Sequence, residues 1–200
     1  MNKKQLQQIE ELARVFYKKT GNYHDWGHVL AVKKHILNLL REIDRANENL
    51  LLAACYLHDI GRSVKDEGHP AESVRLASPL LKKVGLSKAE TDIILDAIEF
   101  HTAPEICQAK TLEAKILFEA DKLEILSVAG FLRTLLFVIE ERKMSLSAGL
   151  DFLWSYAREV QKKYLWTERA KSVAKREMKV LGQVYIFYKR WQSRYWKQKE

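Results

Sequence analysis

The residues with the clearest chemical potential are an adjacent imidazole and carboxylate, His58 and Asp59, at the end of the apolar run 50–57. The run predicts a buried helix, and Gly61 is predicted to follow it in a left-handed conformation. Asp59 would then lie in the last helical turn, where the helix dipole disfavours a negative charge by about 0.3–1 kcal/mol. Burial disfavours that charge further. A bound metal ion would offset both costs, whereas the alternative is a solvated helix end with a chance His-Asp pair.

The same inward orientation is predicted for three other ligand-type residues, His28, His101 and Asp121. Each lies on the apolar stripe of a different predicted helix, because its neighbours three, four or seven positions away are apolar and share its face. A single inward histidine is more often a hydrogen-bonded core residue than a ligand. When four helices each direct a histidine or an aspartate inward, these polar side chains are harder to pair without a cation, since an isolated buried carboxylate is costly. The pattern therefore predicts a metal centre.

The remaining three histidines are less decisive. His35 lies two turns after His28 on the same stripe and is predicted to be a core residue. His24 stands beside Asp25 at a helix start, where capping or support of a ligand is favoured over direct ligation. His69 lies in an otherwise polar connection, and the residues alone leave a solvated loop histidine and a metal ligand equally open.

These residues must be positioned by a chain whose hydrophobic pattern is helical almost throughout. Glycine and proline number only 8 and 3, and no β-alternating run bounded by turns is present. The expected fold is all-α, a single-domain helical bundle with a core over about residues 20–135 and a C-terminal helical extension over about residues 145–200. Ser87 and Glu90 form a capping-box pattern at the start of the fifth helix. The nine predicted helices cover about residues 3–19, 24–40, 50–60, 70–85, 87–101, 112–125, 128–143, 145–165 and 167–196.

The composition, with 47% hydrophobic and 30% charged residues, is that of an ordinary globular protein. No apolar run approaches the length of a membrane span, and the N-terminal residues lead into an amphipathic helix, so we expect no secretory peptide. The two cysteines, Cys55 and Cys107, form neither a disulfide framework nor a CxxC pair, and Cys55 is predicted to be buried and inert. We therefore expect a cytoplasmic protein without a membrane partner.

The net charge of +8 is concentrated near the C-terminus, whereas all six histidines lie at or before His101. Residues 152–200 contain 13 Lys and Arg against 4 Asp and Glu, with aromatic residues between them. Interleaved cations and rings can follow a phosphate backbone, so a nucleic-acid-binding or scaffold protein is one hypothesis. The favoured interpretation is an amphipathic helix with a solvated basic face and four apolar residues packed on the core. Those four are Val173, Val180, Val184 and Phe187.

Several short segments resemble the HD-domain phosphohydrolase superfamily, whose signature is H…HD…D. His28, then His58 with Asp59, then Asp121 match that signature in order. The surrounding sequence is similar to that of the small stand-alone bacterial and archaeal hydrolases of the superfamily. The similar segments are residues 23–28, 53–61, 67–73 and 114–123. The resemblance covers about residues 20–135 and is specific, because several motifs recur in order with apt spacing.

The resemblance implies a role for each candidate ligand. One metal ion would be held by four residues, His28, His58, Asp59 and Asp121. In members of the family that bind two ions, His69 and His101 would hold the second, and Asp59 could bridge the two. The family often has Asp-Ala-Asp-Arg where this chain has Glu-Ala-Asp-Lys, ending at Lys122. This departure replaces the planar fork of an arginine with the point charge of a lysine.

These ligands and the resemblance lead to a functional hypothesis. Mixed imidazole and carboxylate ligands suit Mn, Fe, Co, Ni or Zn, and suit Mg less well because Mg²⁺ prefers oxygen. The leading hypothesis is a metal-dependent phosphohydrolase that directs metal-activated water at a phosphomonoester or phosphodiester, such as a nucleotide. Asp59 would orient the water, and Arg62 would neutralise phosphate charge. Three other nearby cations, Lys65, Lys122 and Arg133, are interpreted as solvated, and a nucleotide-binding HD domain without turnover is a further alternative.

Overall fold

The computed structural model describes residues 1–20 and 23–196, and this part of the chain forms nine α-helices. They are α1 (Lys3–Tyr17), α2 (Trp26–Leu39), α3 (Glu48–Leu57), α4 (His69–Val84), α5 (Lys88–Glu99), α6 (Leu112–Leu126), α7 (Val128–Glu140), α8 (Leu146–Lys163) and α9 (Glu168–Tyr195). Short 3₁₀ turns, Ile60–Ser63 and Glu105–Gln108, lie in two of the connections. No strand occurs in the described residues, so the predicted all-α class is confirmed. Within the same residues, no helix combines the length and the apolar character needed to cross a membrane.

The chain folds as two compact units, Met1–Asp121 and Lys122–Glu200, and the division falls inside α6. All the candidate metal ligands belong to the first unit, whereas the excess of positive charge belongs to the second. The single-domain organisation expected from the sequence stays a prediction.

Helix α3 is the centre of the first unit. All its residues from Leu50 to Leu57 are buried, and it packs against α1, α2 and α5. A helix that is apolar on every side needs other elements to cover it completely. Because burying each leucine contributes roughly 1.5–3 kcal/mol, α3 is a rigid support for the residues that follow it, His58 and Asp59.

Side-chain caps fix where the helices of this unit begin. Asn47 accepts a hydrogen bond from the Leu50 N–H at 3.1 Å, and its own N–H donates to Glu113 of α6 at 2.8 Å. The predicted capping box of α5 is confirmed, because the side chains of Ser87 and Glu90 each accept from the backbone N–H of the other. Such a cap contributes about 0.5–2 kcal/mol and sets the register of the helix behind it.

The end of α3 differs from the sequence-based prediction. The helix stops at Leu57, so Asp59 lies beyond it at the start of the 3₁₀ turn and not in a helical turn. Gly61 does not have the left-handed backbone that was predicted. A close approach requires the glycine instead, because a Cβ at this position would lie 2.3 Å from the carbonyl oxygen of His69. The prediction was wrong because α4 packs on this turn, and local sequence does not encode that contact.

In the second unit, α9 packs against α8 and α7. Its buried residues are Ala170, Ala174, Met178 and Leu181. The predicted packing of Val180, Val184 and Phe187 on the core is wrong, because these side chains are 42%, 44% and 67% exposed. The packed face therefore combines two alanines with Met178 and Leu181, while Val180, Val184 and Phe187 point outward. The last basic residues, Lys197 and Lys199, lie outside the described residues.

Candidate metal centre

The candidate ligands of the first unit are gathered mainly at the ends of helices. Five occupy such positions: His28 in the first turn of α2, His58 and Asp59 after α3, His69 at the start of α4, and His101 just after α5. Asp121 lies within α6. All six are buried, with exposures of 7% or less. The start of α2 is fixed by Asp25, whose carboxylate accepts a hydrogen bond from the His28 N–H at 3.2 Å.

The side chains form two groups that share the carboxylate of Asp59. Oδ2 of Asp59 lies 3.7 Å from Nε2 of both His28 and His58. Oδ1 lies 3.1 Å from Nε2 of His69 and 3.4 Å from Nε2 of His101. Each group presents three ligand atoms within 4.8 Å of one another and could hold a metal ion. The carboxylate of Asp59 therefore stands between two sites.

Asp121 adjoins the first of these groups. Its Oδ1 lies 3.4 Å from Nε2 of His28 and 4.0 Å from Nε2 of His58. The structure thus brings together all six residues that the sequence singled out as metal ligands, from five helices or helix ends. His69, which the residues alone left open, is among them.

Hydrogen bonds to backbone carbonyl groups orient three of the four rings. Nδ1 of His58, His69 and His101 lies 2.8, 2.9 and 2.6 Å from the carbonyl oxygen three residues earlier. A carbonyl oxygen only accepts hydrogen bonds, so each Nδ1 carries the proton and each Nε2 keeps its lone pair. The three Nε2 atoms all face Asp59, and this is how a protein prepares histidines for a metal.

The group formed by Asp59, His69 and His101 has no hydrogen-bond donor between its facing atoms. Nε2 of His69 and Nε2 of His101 lie 3.2 Å apart although both keep lone pairs. Oδ1 of Asp59, which faces them, is buried and accepts no hydrogen bond from the described residues. Lone pairs and a carboxylate oxygen in a buried site repel one another unless a cation lies between them. The donor set therefore fits a divalent metal ion.

Arg62 places a positive charge beside this cluster. Its Nε lies 3.0 Å from Oδ2 of Asp59, and its guanidinium also pairs with Asp66. Burial raises the pKa of the Asp59 carboxyl, but the guanidinium of Arg62 beside it holds that pKa well below its ordinary value. Asp59 is therefore ionised at neutral pH, as a metal ligand must be.

Burial favours the neutral form of two of the histidine rings, His58 and His101. Burial lowers the pKa of His58 to about 4, and the adjacent rings of His101 and His28 add to the effect of burial. Burial also lowers the pKa of His101. Neutral rings with free Nε2 lone pairs are the form that binds metal, so these two rings are ready for an ion at neutral pH.

Acidification is expected to destabilise the metal-free protein. An unfolded histidine has a pKa of about 6.5, whereas the pKa of folded His58 is about 4, so the unfolded chain takes up the proton first as pH falls. The stability that His58 contributes is present above about pH 6.5, and about 2.5 kcal/mol of it should be lost by about pH 4.5. Urea unfolding in the presence of a chelator, at about pH 7.5 and about pH 4.5, measures this loss. A free energy of unfolding that stays constant or rises over this interval would contradict the assignment of neutral buried rings.

Two buried residues behind the site were not identified from the sequence. Oγ of Ser73 accepts a hydrogen bond from the Gly61 N–H at 2.8 Å, which ties the turn after Asp59 to α4. Tyr17 is also buried, and burial and then the charge of Asp59 raise the pKa of its hydroxyl. Ser73 belongs to the segment 67–73, one of the four motif segments of the sequence, and its place in that segment is a usable signal. No comparable signal marks Tyr17, because a tyrosine on an amphipathic helix is ordinary.

Several residues near the motifs differ from their sequence-based interpretation. Lys122 is buried, and Arg133 pairs with Glu124 at 2.5 Å, so the interpretation of both cations as solvated is wrong. The turn between α6 and α7 brings Arg133 back to Glu124, and this pairing is not visible as a local pattern. Lys65 is exposed, as expected. His35 is half-buried and not a core residue.

The fold and this cluster place the protein in a known class. The chain belongs to the HD domain family, whose model matches residues 25–126. The matched range begins at the cap of α2 and ends with α6, so it contains all six candidate ligands. The predicted resemblance is confirmed, and the HD superfamily includes metal-dependent phosphohydrolases. No curated protein matches the sequence closely enough to count as a relative.

Solved structures share the fold over nearly the whole chain. A protein of Lactobacillus plantarum is 18% identical with a TM-score of 0.78, and the match covers 96% of this chain and 99% of that one. Bacillus subtilis YpgQ, solved in complex with ADP, is 19% identical with a TM-score of 0.72, over 95% and 94% of the two chains. A predicted HD superfamily hydrolase from an uncultured Thermotogales bacterium is 22% identical with a TM-score of 0.65, over 92% of each chain. At these identities the likeness establishes the fold.

Proposed function

We propose that this protein is a phosphohydrolase that depends on one or two divalent metal ions and acts on a phosphomonoester or phosphodiester, with nucleotides as the favoured substrates. The observation that carries the proposal is the carboxylate of Asp59, which faces Nε2 atoms on both sides in a buried cluster. Membership of a superfamily that includes metal-dependent phosphohydrolases supports the same conclusion.

The two groups of ligands would hold different ions. His28, His58, Asp59 and Asp121 would hold one, and Asp59, His69 and His101 would hold the other. The donor set suits Mn, Fe, Co, Ni or Zn better than Mg, because Mg²⁺ prefers oxygen ligands. When bound, such an ion lowers the pKa of a water molecule toward neutrality and so supplies a nucleophile. Asp59 stays ionised because its pKa is low, and it would orient that water.

We assign the contact with substrate to Arg62. Its side chain is 16% exposed, and its guanidinium lies between the buried Asp59 and the exposed Asp66. A guanidinium offers a planar fork of donors that matches two phosphate oxygens. A phosphate that takes the place of Asp66 would leave the Nε contact with Asp59 intact. Arg62 would then neutralise the charge that develops on the phosphate while still positioning the carboxylate.

A nucleotide is the favoured substrate class because the fold is known to accommodate one. YpgQ, which shares the fold with a TM-score of 0.72, was solved with ADP bound. An HD domain that binds a nucleotide without hydrolysing it is the alternative. The complete ligand set of this chain argues against that alternative, since a binding protein would have no need to retain two groups of buried metal ligands.

The test joins metal analysis to a hydrolysis assay. We expect protein purified without chelator to contain divalent metal and to release phosphate or pyrophosphate from at least one member of a panel of nucleotides and a generic aryl phosphate. Treatment with a chelator should abolish turnover, and readdition of Mn²⁺, Co²⁺ or Zn²⁺ should restore it, because the nucleophile is generated on the ion. Mass spectrometry of the metals and a product assay provide the two measurements.

The outcomes separate the alternatives. Protein without divalent metal, or with turnover that survives complete removal of metal, would contradict the proposal. Metal-loaded protein that binds nucleotides in calorimetry and hydrolyses none would favour the non-catalytic alternative.

A further inference from the structure

The second unit carries an exposed apolar stripe on α9 that the proposed hydrolase function does not use. The stripe follows spacings of three and four residues along one helical face, and we call it the α9 ridge. The ridge consists of Val180, Val184, Phe187, Trp191 and Tyr195, which are 42%, 44%, 67%, 45% and 57% exposed. Its three rings lie four residues apart, at a rise of about 6 Å each. Large apolar side chains that form a continuous exposed stripe mark a binding surface more often than scattered ones do.

Polar contacts on the opposite side of α9 fix the direction in which the ridge faces. Asp151 of α8 accepts hydrogen bonds from the Tyr185 hydroxyl at 2.6 Å and from Lys189 at 3.1 Å. The ring of Tyr185 also stacks on Trp154 of α8, with centroids 5.0 Å apart. These residues lie on the face of α9 turned toward α8. The ridge is therefore held away from α8, and its exposure is a property of the folded unit.

A row of cations runs beside the ridge along the same helix. We call it the cation row, and its members are Arg176, Lys179, Arg190 and Arg194. Residues 175–196 contain six Lys and Arg and a single carboxylate, Glu177, which pairs with Arg176. No ion pair of the described residues involves Lys179, Arg190 or Arg194. Three of the four members of the row, Lys179, Arg190 and Arg194, therefore present positive charge that the fold itself does not neutralise.

We infer that the α9 ridge and the cation row bind single-stranded nucleic acid. The two features are parallel and adjacent, so a strand whose phosphates follow the cations brings its bases over Phe187, Trp191 and Tyr195. Stacking on rings and pairing of phosphates with Lys and Arg are the two interactions by which proteins hold single strands. A second copy of this chain fits the surface less well, because two cation rows would face each other and repel. The inference does not depend on the proposed hydrolase activity.

The ridge and the row can be tested separately by measuring binding to labelled single-stranded oligo(dT) and oligo(U) of about 20 nucleotides. We expect the logarithm of the binding constant to fall linearly with the logarithm of salt concentration. The variant R190Q/R194Q should reduce that slope by about 1.4, since each phosphate contact on a single strand contributes about 0.7. The matched control K3Q/K4Q, which removes two cations from the start of α1 in the other unit, should leave the slope unchanged.

The rings require a variant that leaves the charge unaltered. F187S/Y195S should weaken binding at least fivefold, because stacking of each base contributes a several-fold factor. Both side chains are more than half exposed, so the variant should fold normally. The control V15S changes an apolar residue of α1 that is 56% exposed, and it should bind like the parent protein.

Three results would overturn the inference. The first is that the protein binds neither oligo(dT) nor oligo(U) at about 50 mM salt, where electrostatic attraction is strong. The second is an equal loss of binding in the α9 variants and in the α1 controls, which would show that binding does not depend on the surface of α9 in particular. The third is binding to phosphatidylglycerol vesicles or to an acidic amphipathic peptide by a protein that does not bind the oligonucleotides.

Discussion

Replacement of Asp59 with asparagine is expected to remove the metal from both groups of ligands and to lower turnover by about 10³-fold or more. The carboxylate of Asp59 faces His28 and His58 on one side and His69 and His101 on the other. An amide keeps the size of the side chain but removes the charge that attracts a cation to either side. Metal content per chain and the rate of hydrolysis are the measurements.

The matched control is D92N, the same chemical change at an exposed carboxylate of α5 that pairs with Lys88. We expect D92N to keep the metal content and the turnover of the parent protein. Circular dichroism should show full helical content for both variants, because Asp59 lies in a turn between helices and not in a helical core. If D59N retained its metal and hydrolysed substrate within twofold of the parent, the shared carboxylate would not be the centre of the chemistry.

Replacement of Gly61 with alanine is expected to destabilise the fold by about 4 kcal/mol or more. The added Cβ would lie 2.3 Å from the carbonyl oxygen of His69 and 2.6 Å from the backbone nitrogen of Ser73. Both atoms belong to the backbone of α4, so no side chain can rotate to make room, and well-packed interiors relax little. The turn and the start of α4 would have to separate, which would also move Asp59 and His69 apart. Urea unfolding and metal content together measure both effects.

Two other variants keep this prediction testable if G61A does not fold at all. Gly85 has φ of +78° with nothing within 4 Å of a Cβ, so G85A should cost only the strain of a left-handed alanine, about 1–2 kcal/mol. S73A removes the acceptor of the Gly61 N–H and should cost about 1–3 kcal/mol. The prediction is contradicted if the free energy of unfolding of G61A is as high as that of G85A, because the turn and α4 could then separate at little cost in stability.

Much of the candidate site could be predicted from the sequence because its polar side chains lie on apolar helix faces, where their burial costs free energy. His58, His101 and Asp121 each follow apolar residues at helical spacing, and a buried carboxylate or imidazole in such a place calls for a partner. That argument selected the correct neighbourhood for residues far apart in the chain. For His69 it did not decide, because the surrounding residues are polar, and only the resemblance to the HD superfamily gave it a role.

The parts that were not predicted depend on contacts between distant segments. The turn at Gly61 is shaped by Ser73 and by the backbone at His69. The sequence therefore indicated correctly that a glycine matters here, but the preference of helix ends for a left-handed glycine is not the reason. The orientation of α9 was wrong for a related reason. Its sequence offers two apolar faces, and hydrophobicity alone favours burial of the larger one. The fold buries the other one, which contains Ala170, Ala174, Met178 and Leu181.

The division of the chain immediately after Asp121 has a consequence for protein engineering. Every residue proposed to coordinate an ion precedes that point, so substitutions in α7, α8 and α9 leave the set of ligands unaltered. The exposed faces of these helices could therefore be redesigned to carry new attachments while the same six side chains remain available to an ion.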